Sequence, residues 1–192
     1  EMGRNDDTEV DFVSAVPDSG IGMALGYSQG KGVPYQRGIV KYTPTWPRSF
    51  TPSTQERREL VAKMKLIPNK TLLKDKKVIF CDDSIVRGTQ LRDNVKDLFD
   101  CGAKEVHIRI SCPPVKFPCF YGIDFASRGE LIAAKYSLPE ITRMLDVDSL
   151  HYLSIDGLLR SVMQSDSYCL ACFDGKYPVP CRESGKLRLE CG

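Results

Sequence analysis

The 192-residue sequence predicts a single α/β domain built on a mostly parallel sheet flanked by helices. Three observations lead to this prediction. Apolar runs of strand length alternate along the chain with segments of helical period. Hydrophobic residues make up 42% of the chain and charged residues 27%, as in ordinary globular proteins. The length suffices for one well-packed core and is too short for two full-sized domains.

The first half of the chain predicts two strands and two helices. The apolar run at residues 11–16 predicts a strand, and a helix follows through Met23 to the glycines at 30 and 32. Residues 35–42 predict a second strand, and the prolines and the tryptophan of residues 43–53 predict an irregular loop. A capping-box pattern at residues 53–56 opens a helix through Met64. Between Thr54 and Lys77, eight basic residues stand against three acidic ones, so positive charge is concentrated there.

The remainder of the chain, from residue 77 onward, predicts three more strands separated by helices. The strands are expected at residues 77–81, 105–111 and 150–153. The first of them is followed by a helix that closes at Gly102, and a capping box at residues 137–140 opens another. A further helix follows through Leu158. Residues 1–164 are therefore expected to form the domain, and residues 165–192 an irregular tail that contains cysteines.

Charge and hydropathy exclude several classes of protein. The net charge of +2 argues against a dedicated nucleic-acid or anionic-membrane binder. No apolar run approaches the roughly 18 to 20 residues of a membrane span, and no signal peptide opens the chain. We therefore expect no nucleic-acid or membrane partner and a cytoplasmic location. Without an oxidising compartment, the cysteine-rich end favours a metal or cluster site over disulfides.

The most informative segment is residues 78–89, where an apolar strand ends in Asp82 and Asp83 before a loop that leads into a helix. Ligands of open α/β sheets bind at the carboxyl ends of strands. The backbone N–H groups of residues 84–89 would cradle a phosphate, and the hydroxyls of Ser84 and Thr89 can donate to it. The two carboxylates suit vicinal hydroxyls or Mg²⁺. The segment therefore predicts a sugar phosphate as ligand; the alternative is that the two aspartates only cap the following helix.

The sequence Asp-Asp-Ser-Ile-Val-Arg-Gly-Thr at residues 82–89 resembles the phosphoribosylpyrophosphate (PRPP) motif of the type I phosphoribosyltransferases. Within them it most resembles the glutamine PRPP amidotransferase family. Further matching blocks lie at residues 16–19, 38–41, 48–50, 58–66, 102–107 and 118–124. The resemblance implies a type I phosphoribosyltransferase-like fold. It also implies transfer of ammonia, from glutamine in the full-length enzyme, to PRPP, giving 5-phosphoribosylamine and pyrophosphate in the first committed step of purine synthesis.

The resemblance also implies roles for individual residues. PRPP binding is expected at Asp82, Asp83, Ser84, Ile85, Val86, Arg87, Gly88 and Thr89. Ser19, Asp82 and Asp83 are expected to hold Mg²⁺, while Lys41 and Arg48 are the expected catalytic cations that stabilise the pyrophosphate. Cys119, Cys169 and Cys172 match ligands of a [4Fe-4S] cluster whose fourth ligand lies outside this chain. Cys112, Cys181 and Cys191 are alternatives for that fourth position.

The family pattern further implies partners that this chain does not contain. An N-terminal glutaminase domain is expected upstream of these residues, together with purine nucleotides as feedback inhibitors and assembly into a homo-oligomer. The chain departs from the pattern at Pro44, Trp46 and Pro47, where the family has a glycine before the arginine at 48, so a stiffer loop is expected there. The alternatives are a PRPP-binding regulatory module without turnover and a nucleobase phosphoribosyltransferase. Retention of Ser19, Lys41 and Arg48 favours the enzyme.

Overall fold

A computed structural model describes residues 1–41, 66–123, 127–162 and 168–179. Its strands are β1 (Phe12–Ala15), β2 (Ile39–Lys41), β3 (Leu66–Pro68), β4 (Lys77–Asp82), β5 (Glu105–Ile110) and β6 (Ser149–Tyr152). The main sheet has the order β1-β4-β5-β6, and all its neighbouring pairs are parallel. The predicted parallel α/β sheet is confirmed.

Helices cover both faces of this sheet. They are α1 (Ile21–Lys31), α2 (Lys70–Leu73), α3 (Thr89–Asp100), α4 (Ile132–Lys135), α5 (Leu138–Leu145), α6 (Ile155–Ser161) and α7 (Ala171–Asp174). Short 3₁₀ turns lie at Met2–Asn5 and Arg128–Glu130. The predicted capping box at the start of α5 is present, since the Ser137 N–H donates to Glu140 Oε2 at 2.7 Å.

The alternation of side chains along β4 divides the core into two layers. Val78 and Phe80 pack in one hydrophobic cluster with residues of α3 and α5, whereas Ile79 and Cys81 pack in a second cluster with residues of α1. All four side chains are at most 1% exposed, as expected for a strand buried on both faces.

A buried ion pair lies on the α1 side of the sheet. Arg109 of β5 is fully buried, and its Nε lies 2.5 Å from Asp6 Oδ2. The hydroxyl of Tyr27 in α1 donates to the same carboxylate, and Arg109 Nη2 also donates to Thr8 Oγ1 at 3.0 Å. Burial alone would raise the pKa of Asp6, but the hydrogen bonds from Arg109, Tyr27 and Thr8 hold it well below its usual range. This network ties the first residues of the chain and α1 to the sheet.

The structure differs from the sequence-based prediction in several places, and it adds the short helices α2 and α4, which no pattern indicated. The second strand is shorter than residues 35–42; it pairs antiparallel with β3 in a separate two-stranded sheet, and Tyr35 makes only an isolated bridge to Val13. Residues 171–174 form α7 within the segment expected to be irregular. The predicted loop at residues 43–53 and the capping box after it lie outside the described residues.

Candidate functional site

Two loops of the main sheet meet at the carboxyl end of β4. The residues after β1 lie directly against this strand, because the Val16 N–H donates to the Cys81 carbonyl at 2.9 Å. A Cβ atom on Gly20 would lie only 2.1 Å from that same carbonyl oxygen. Glycine is therefore required at position 20, and this close approach brings Ser19 to Asp82.

Ser19 and the acid pair form a compact group of oxygen atoms. Ser19 Oγ donates to Asp82 Oδ1 at 3.0 Å, and the backbone N–H of Asp83 donates to the same oxygen at 2.9 Å. Burial raises the pKa of Asp82 to about 6; the charge of Asp83 adds to this rise, and the hydrogen bonds from Asp83 and Ser19 oppose it. A partly desolvated carboxylate of this kind is stabilised by a cation and accepts hydrogen bonds from hydroxyls.

The backbone of the acid pair is held by Ser111, which directly follows β5. The Ser111 N–H donates to the Asp82 carbonyl at 3.0 Å, and its hydroxyl donates to the Asp83 carbonyl at 3.3 Å. On the other side, Ser84 Oγ donates to Asp83 Oδ1 at 3.1 Å. Ser111 carries no sequence signal of this role, because it belongs to no motif and its hydroxyl contacts the residue that follows the neighbouring strand.

Lys41, the last residue of β2, reaches the same edge of the sheet. Its Nζ lies 2.7 Å from Asp18 Oδ2, immediately before Ser19 in the chain. The structure thus brings Lys41 to the residue that precedes Ser19, whereas Arg48 lies outside the described residues. Sequence analysis did not assign a role to Asp18, although this residue stands within the matching block at residues 16–19.

The loop between β4 and α3 has the geometry of an anion cradle. Gly88 precedes α3 with φ of 79°, a left-handed conformation that favours glycine. Among the described residues, no backbone hydrogen bond has the N–H of Ser84, Ile85, Val86 or Gly88 as its donor. Unpaired N–H groups at a helix N-terminus attract anions, because the helix dipole adds partial positive charge there. The predicted phosphate loop therefore lies beside the acid pair, and within the described ranges these four N–H groups have no backbone acceptor.

The three predicted cluster ligands lie on two segments that are docked together. Cys119 belongs to the loop after β5. Cys169 lies just before α7, and Cys172 lies in that helix. The Cys172 carbonyl accepts hydrogen bonds from the N–H groups of Lys116 at 2.9 Å and Phe117 at 3.1 Å. Burial raises the pKa of the Cys172 thiol, and the charges of Cys119 and Cys169 add to the rise.

Cys112, one of the alternatives for the fourth cluster ligand, is close enough to Asp83 and to Cys172 to interact with their charges. Burial raises its pKa to about 12, and the charges of Asp83 and Cys172 contribute. Within the described ranges, no three His, Cys, Asp or Glu side chains are arranged to hold a metal ion. The side chains of Cys119, Cys169 and Cys172 therefore do not form such a group among the described residues.

Other features of the surface lie away from this site. A cavity of about 720 Å³ lies between α3 and the turn after α5, and none of its lining residues is a predicted site residue. Among the helices that the structure describes, none has the length and apolar character of a membrane span.

Comparison with known proteins identifies close relatives of this chain. No family model matches it. The amidophosphoribosyltransferase of Synechococcus elongatus is 47% identical over 193 residues, which cover 98% of this chain and 39% of the relative. That of Archaeoglobus fulgidus is 46% identical over 181 residues, which cover 93% of this chain and 39% of the relative. The chain thus spans well under half the length of these curated relatives.

A solved structure supports the same relationship. The glutamine PRPP amidotransferase from Bacillus subtilis, complexed with ADP and GMP, matches this chain with a TM-score of 0.84 at 40% sequence identity. The match covers 97% of this chain and 42% of that one. It confirms the predicted phosphoribosyltransferase-type fold.

Proposed function

Because the chain belongs to the amidophosphoribosyltransferase family over the part of those proteins that it spans, we propose that it binds PRPP and transfers ammonia to it. The products are 5-phosphoribosylamine and pyrophosphate. One observation carries this proposal: the oxygen group of Ser19 and the acid pair adjoins a loop in which four N–H groups donate to no backbone carbonyl among the described residues. The 5′-phosphate of PRPP suits the N–H groups of the loop. Its ribose hydroxyls and its diphosphate suit the oxygen group and the cations beside it.

The chemistry explains why these residue types are needed. The nitrogen of ammonia forms a bond to C1 of the ribose, while the bond from C1 to the pyrophosphate oxygen breaks and leaves its electron pair on pyrophosphate. The new ammonium group then releases a proton to solvent. Positive charge develops on the ribose ring and negative charge on the leaving group, so catalysis depends on stabilising both.

We assign each part of the site to one part of the substrate. Asp82 and Asp83 accept hydrogen bonds from the ribose hydroxyls, and the loop at residues 84–89 binds the 5′-phosphate. Lys41, together with Arg48, stabilises the charge on the leaving pyrophosphate. The 2.7 Å ion pair between Lys41 and Asp18 supports this role, because it holds the ammonium group at this edge of the sheet.

The same oxygen atoms fit a magnesium ion. Mg²⁺ prefers oxygen ligands and is commonly bound by one or two carboxylates together with substrate phosphates. Ser19 Oγ and Asp82 Oδ1 are 3.0 Å apart, and Asp83 directly follows. We therefore propose that Ser19, Asp82 and Asp83 hold Mg²⁺ together with PRPP. When bound, the ion neutralises charge on the diphosphate.

The cysteines support a [4Fe-4S] cluster in the full-length protein. Cys119, Cys169 and Cys172 would be its ligands in this chain, with a fourth ligand outside it, and the cluster would join two segments that already dock through the Cys172 carbonyl. Iron and acid-labile sulfide in the anaerobically purified full-length protein test this proposal. Cys172→Ser should lose iron, while Cys101→Ser, at the end of α3, should retain it. Equal iron in both variants would contradict the assignment.

The relatives' greater length suggests what the rest of the protein contains. We propose a phosphoribosyltransferase domain at residues 1–164 and a cysteine-containing tail at residues 165–192, with a glutaminase domain in the longer protein. Purine nucleotides as feedback ligands are proposed because the Bacillus subtilis structure is complexed with ADP and GMP. We also propose that the longer protein assembles into a homo-oligomer in the cytoplasm.

The deciding experiment is pyrophosphate release from PRPP with Mg²⁺, measured with ammonium and separately with glutamine. Release with ammonium alone supports the proposed function of this chain. PRPP binding without release would favour a regulatory module instead, and no PRPP binding would contradict the assignment of the loop. Asp82→Asn should lose pyrophosphate release. Its matched control is Asp100→Asn, which removes an exposed carboxylate from the far end of α3 and should retain that activity.

A further inference from the structure

A segment far along the chain holds the phosphate loop at three consecutive residues. This brace, residues 127–135, contains the 3₁₀ turn Arg128–Glu130 and α4. The Ile132 N–H donates to the Val86 carbonyl at 2.8 Å. Arg87 Nη2 and Nε donate to Glu130 Oε2 at 2.5 and 3.2 Å. A Cβ on Gly88 would lie 2.9 Å from Ile132 Cδ1, so the loop lies tightly beneath this side chain.

The brace is itself anchored in the core. Leu131 is fully buried and Ile132 is 6% exposed, and Ile132 belongs to the same hydrophobic cluster as Val95 and Leu145. The loop is therefore tied to a rigid part of the fold. Arg87 and Glu130, in contrast, have side chains 64% and 44% exposed, so their ion pair lies at the surface.

The ion pair explains how a carboxylate is tolerated close to a phosphate site. Glu130 alone would repel a phosphate dianion, but the guanidinium of Arg87 offsets its charge. The same contact engages two of the five N–H donors of Arg87 with one carboxylate oxygen and directs the guanidinium toward Glu130. A loop that is already in its binding conformation loses less entropy when the ligand binds.

We propose that Glu130 is a positioning residue for the 5′-phosphate: through Arg87 it holds the loop at residues 84–89 in the conformation that binds phosphate. This inference rests on the proposed function. None of the three brace contacts involves Ser19 or Lys41, so the brace acts on the 5′-phosphate end of the substrate and leaves the pyrophosphate end unchanged. The contribution is made equally in the ground state and the transition state, so KM changes while kcat does not.

The experiment compares two inhibitors that each occupy one end of the site. Using this full chain, ribose 5-phosphate and pyrophosphate are titrated as competitors of PRPP. In Glu130→Gln, the affinity for ribose 5-phosphate should fall about fivefold, the size expected for an exposed ion pair. The pyrophosphate affinity and kcat should stay unchanged. Asp100→Asn, which breaks the exposed 2.6 Å pair with Lys96 on α3, is the matched control and should change neither affinity.

A double-mutant cycle decides how Arg87 acts. If the brace is correct, Arg87→Ala and Glu130→Ala have similar effects, and the double variant is no worse than either one. Additive losses, with Arg87→Ala the more severe, would show that Arg87 binds the phosphate directly and would overturn the inference. An unchanged ribose 5-phosphate affinity in Glu130→Gln would overturn it too. If the unsubstituted chain binds neither ribose 5-phosphate nor PRPP, the proposed function itself fails.

Discussion

Replacing Gly20 by alanine tests the close approach that assembles the site. A Cβ at this position would lie 2.1 Å from the Cys81 carbonyl oxygen, and the atom it meets is backbone that cannot rotate away. Restoring an ordinary contact of about 3.3 Å requires a shift of roughly 1 Å between the loop and β4. The Ser19–Asp82 hydrogen bond is 3.0 Å long, so a shift of that size breaks it.

Two quantities should change together. The free energy of unfolding should fall by about 1–3 kcal/mol, as for other overpacked sites. Pyrophosphate release should fall about 100-fold, because a misplacement of about 1 Å has that effect on a positioned reaction. Denaturant unfolding and the ammonium-dependent assay measure the two quantities on the same samples.

Gly22 provides a matched control two residues away. It lies in α1, where a Cβ would meet nothing within 4 Å. Gly22→Ala should therefore leave activity unchanged and stabilise the fold by about 0.5–1 kcal/mol, because alanine is the better helix former. If Gly20→Ala behaves like Gly22→Ala in both assays, the close approach is not what positions Ser19.

Three further substitutions separate stability from function. Asp82→Asn should abolish pyrophosphate release yet raise the free energy of unfolding at about pH 8 by roughly 1–3 kcal/mol, measured with denaturant in the presence of a chelator. The reason is that the folded-state pKa of Asp82 is raised to about 6, so the folded protein becomes less stable as the pH rises through that value and the carboxyl ionises. Asp6→Asn should lower the free energy of unfolding by about 3–5 kcal/mol, because it leaves buried Arg109 unpaired. The folded-state pKa of Asp6 is lowered, so its contribution is complete above its ordinary pKa and is lost as the pH falls below it; urea titrations at acid pH should show this loss in the unsubstituted chain and not in Asp6→Asn. Lys41→Met should lower kcat about 100-fold and leave the affinity for ribose 5-phosphate unchanged, the reverse of the effect expected for Glu130→Gln.

The main sheet and the acid pair could be predicted from the sequence because their signals are local. Residues 77–89 combine a continuous apolar run, two carboxylates and a glycine at a helix start, and the structure has β4, the loop and α3 in that order. The capping box before α5 is similarly local, since Ser137 and Glu140 satisfy each other within one turn. In each case the interactions that determine the element are made within about a dozen residues.

The remaining features depend on contacts between distant residues. β3 has only three residues and ends in Pro68, so no periodicity could indicate its antiparallel pairing with β2. Arg109 pairs with Asp6, which lies more than a hundred positions earlier in the chain, and a charged residue in a strand would ordinarily be expected to face solvent. Glu130 likewise meets Arg87 only because the chain after β5 returns to the phosphate loop.

Contacts with the sheet and with the brace hold the functional loops in place. Each functional loop contacts a rigid neighbour through its backbone: Gly20 meets the Cys81 carbonyl, Asp83 accepts from Ser111, and Val86 accepts from Ile132. Because backbone atoms of the loops make these contacts, the contacts do not occupy the side chains of Ser19, Asp82 and Asp83. Gly20→Ala should therefore lower turnover by misplacing Ser19, and Glu130→Gln should change affinity alone, whereas substitutions in the oxygen group should remove turnover from a folded protein.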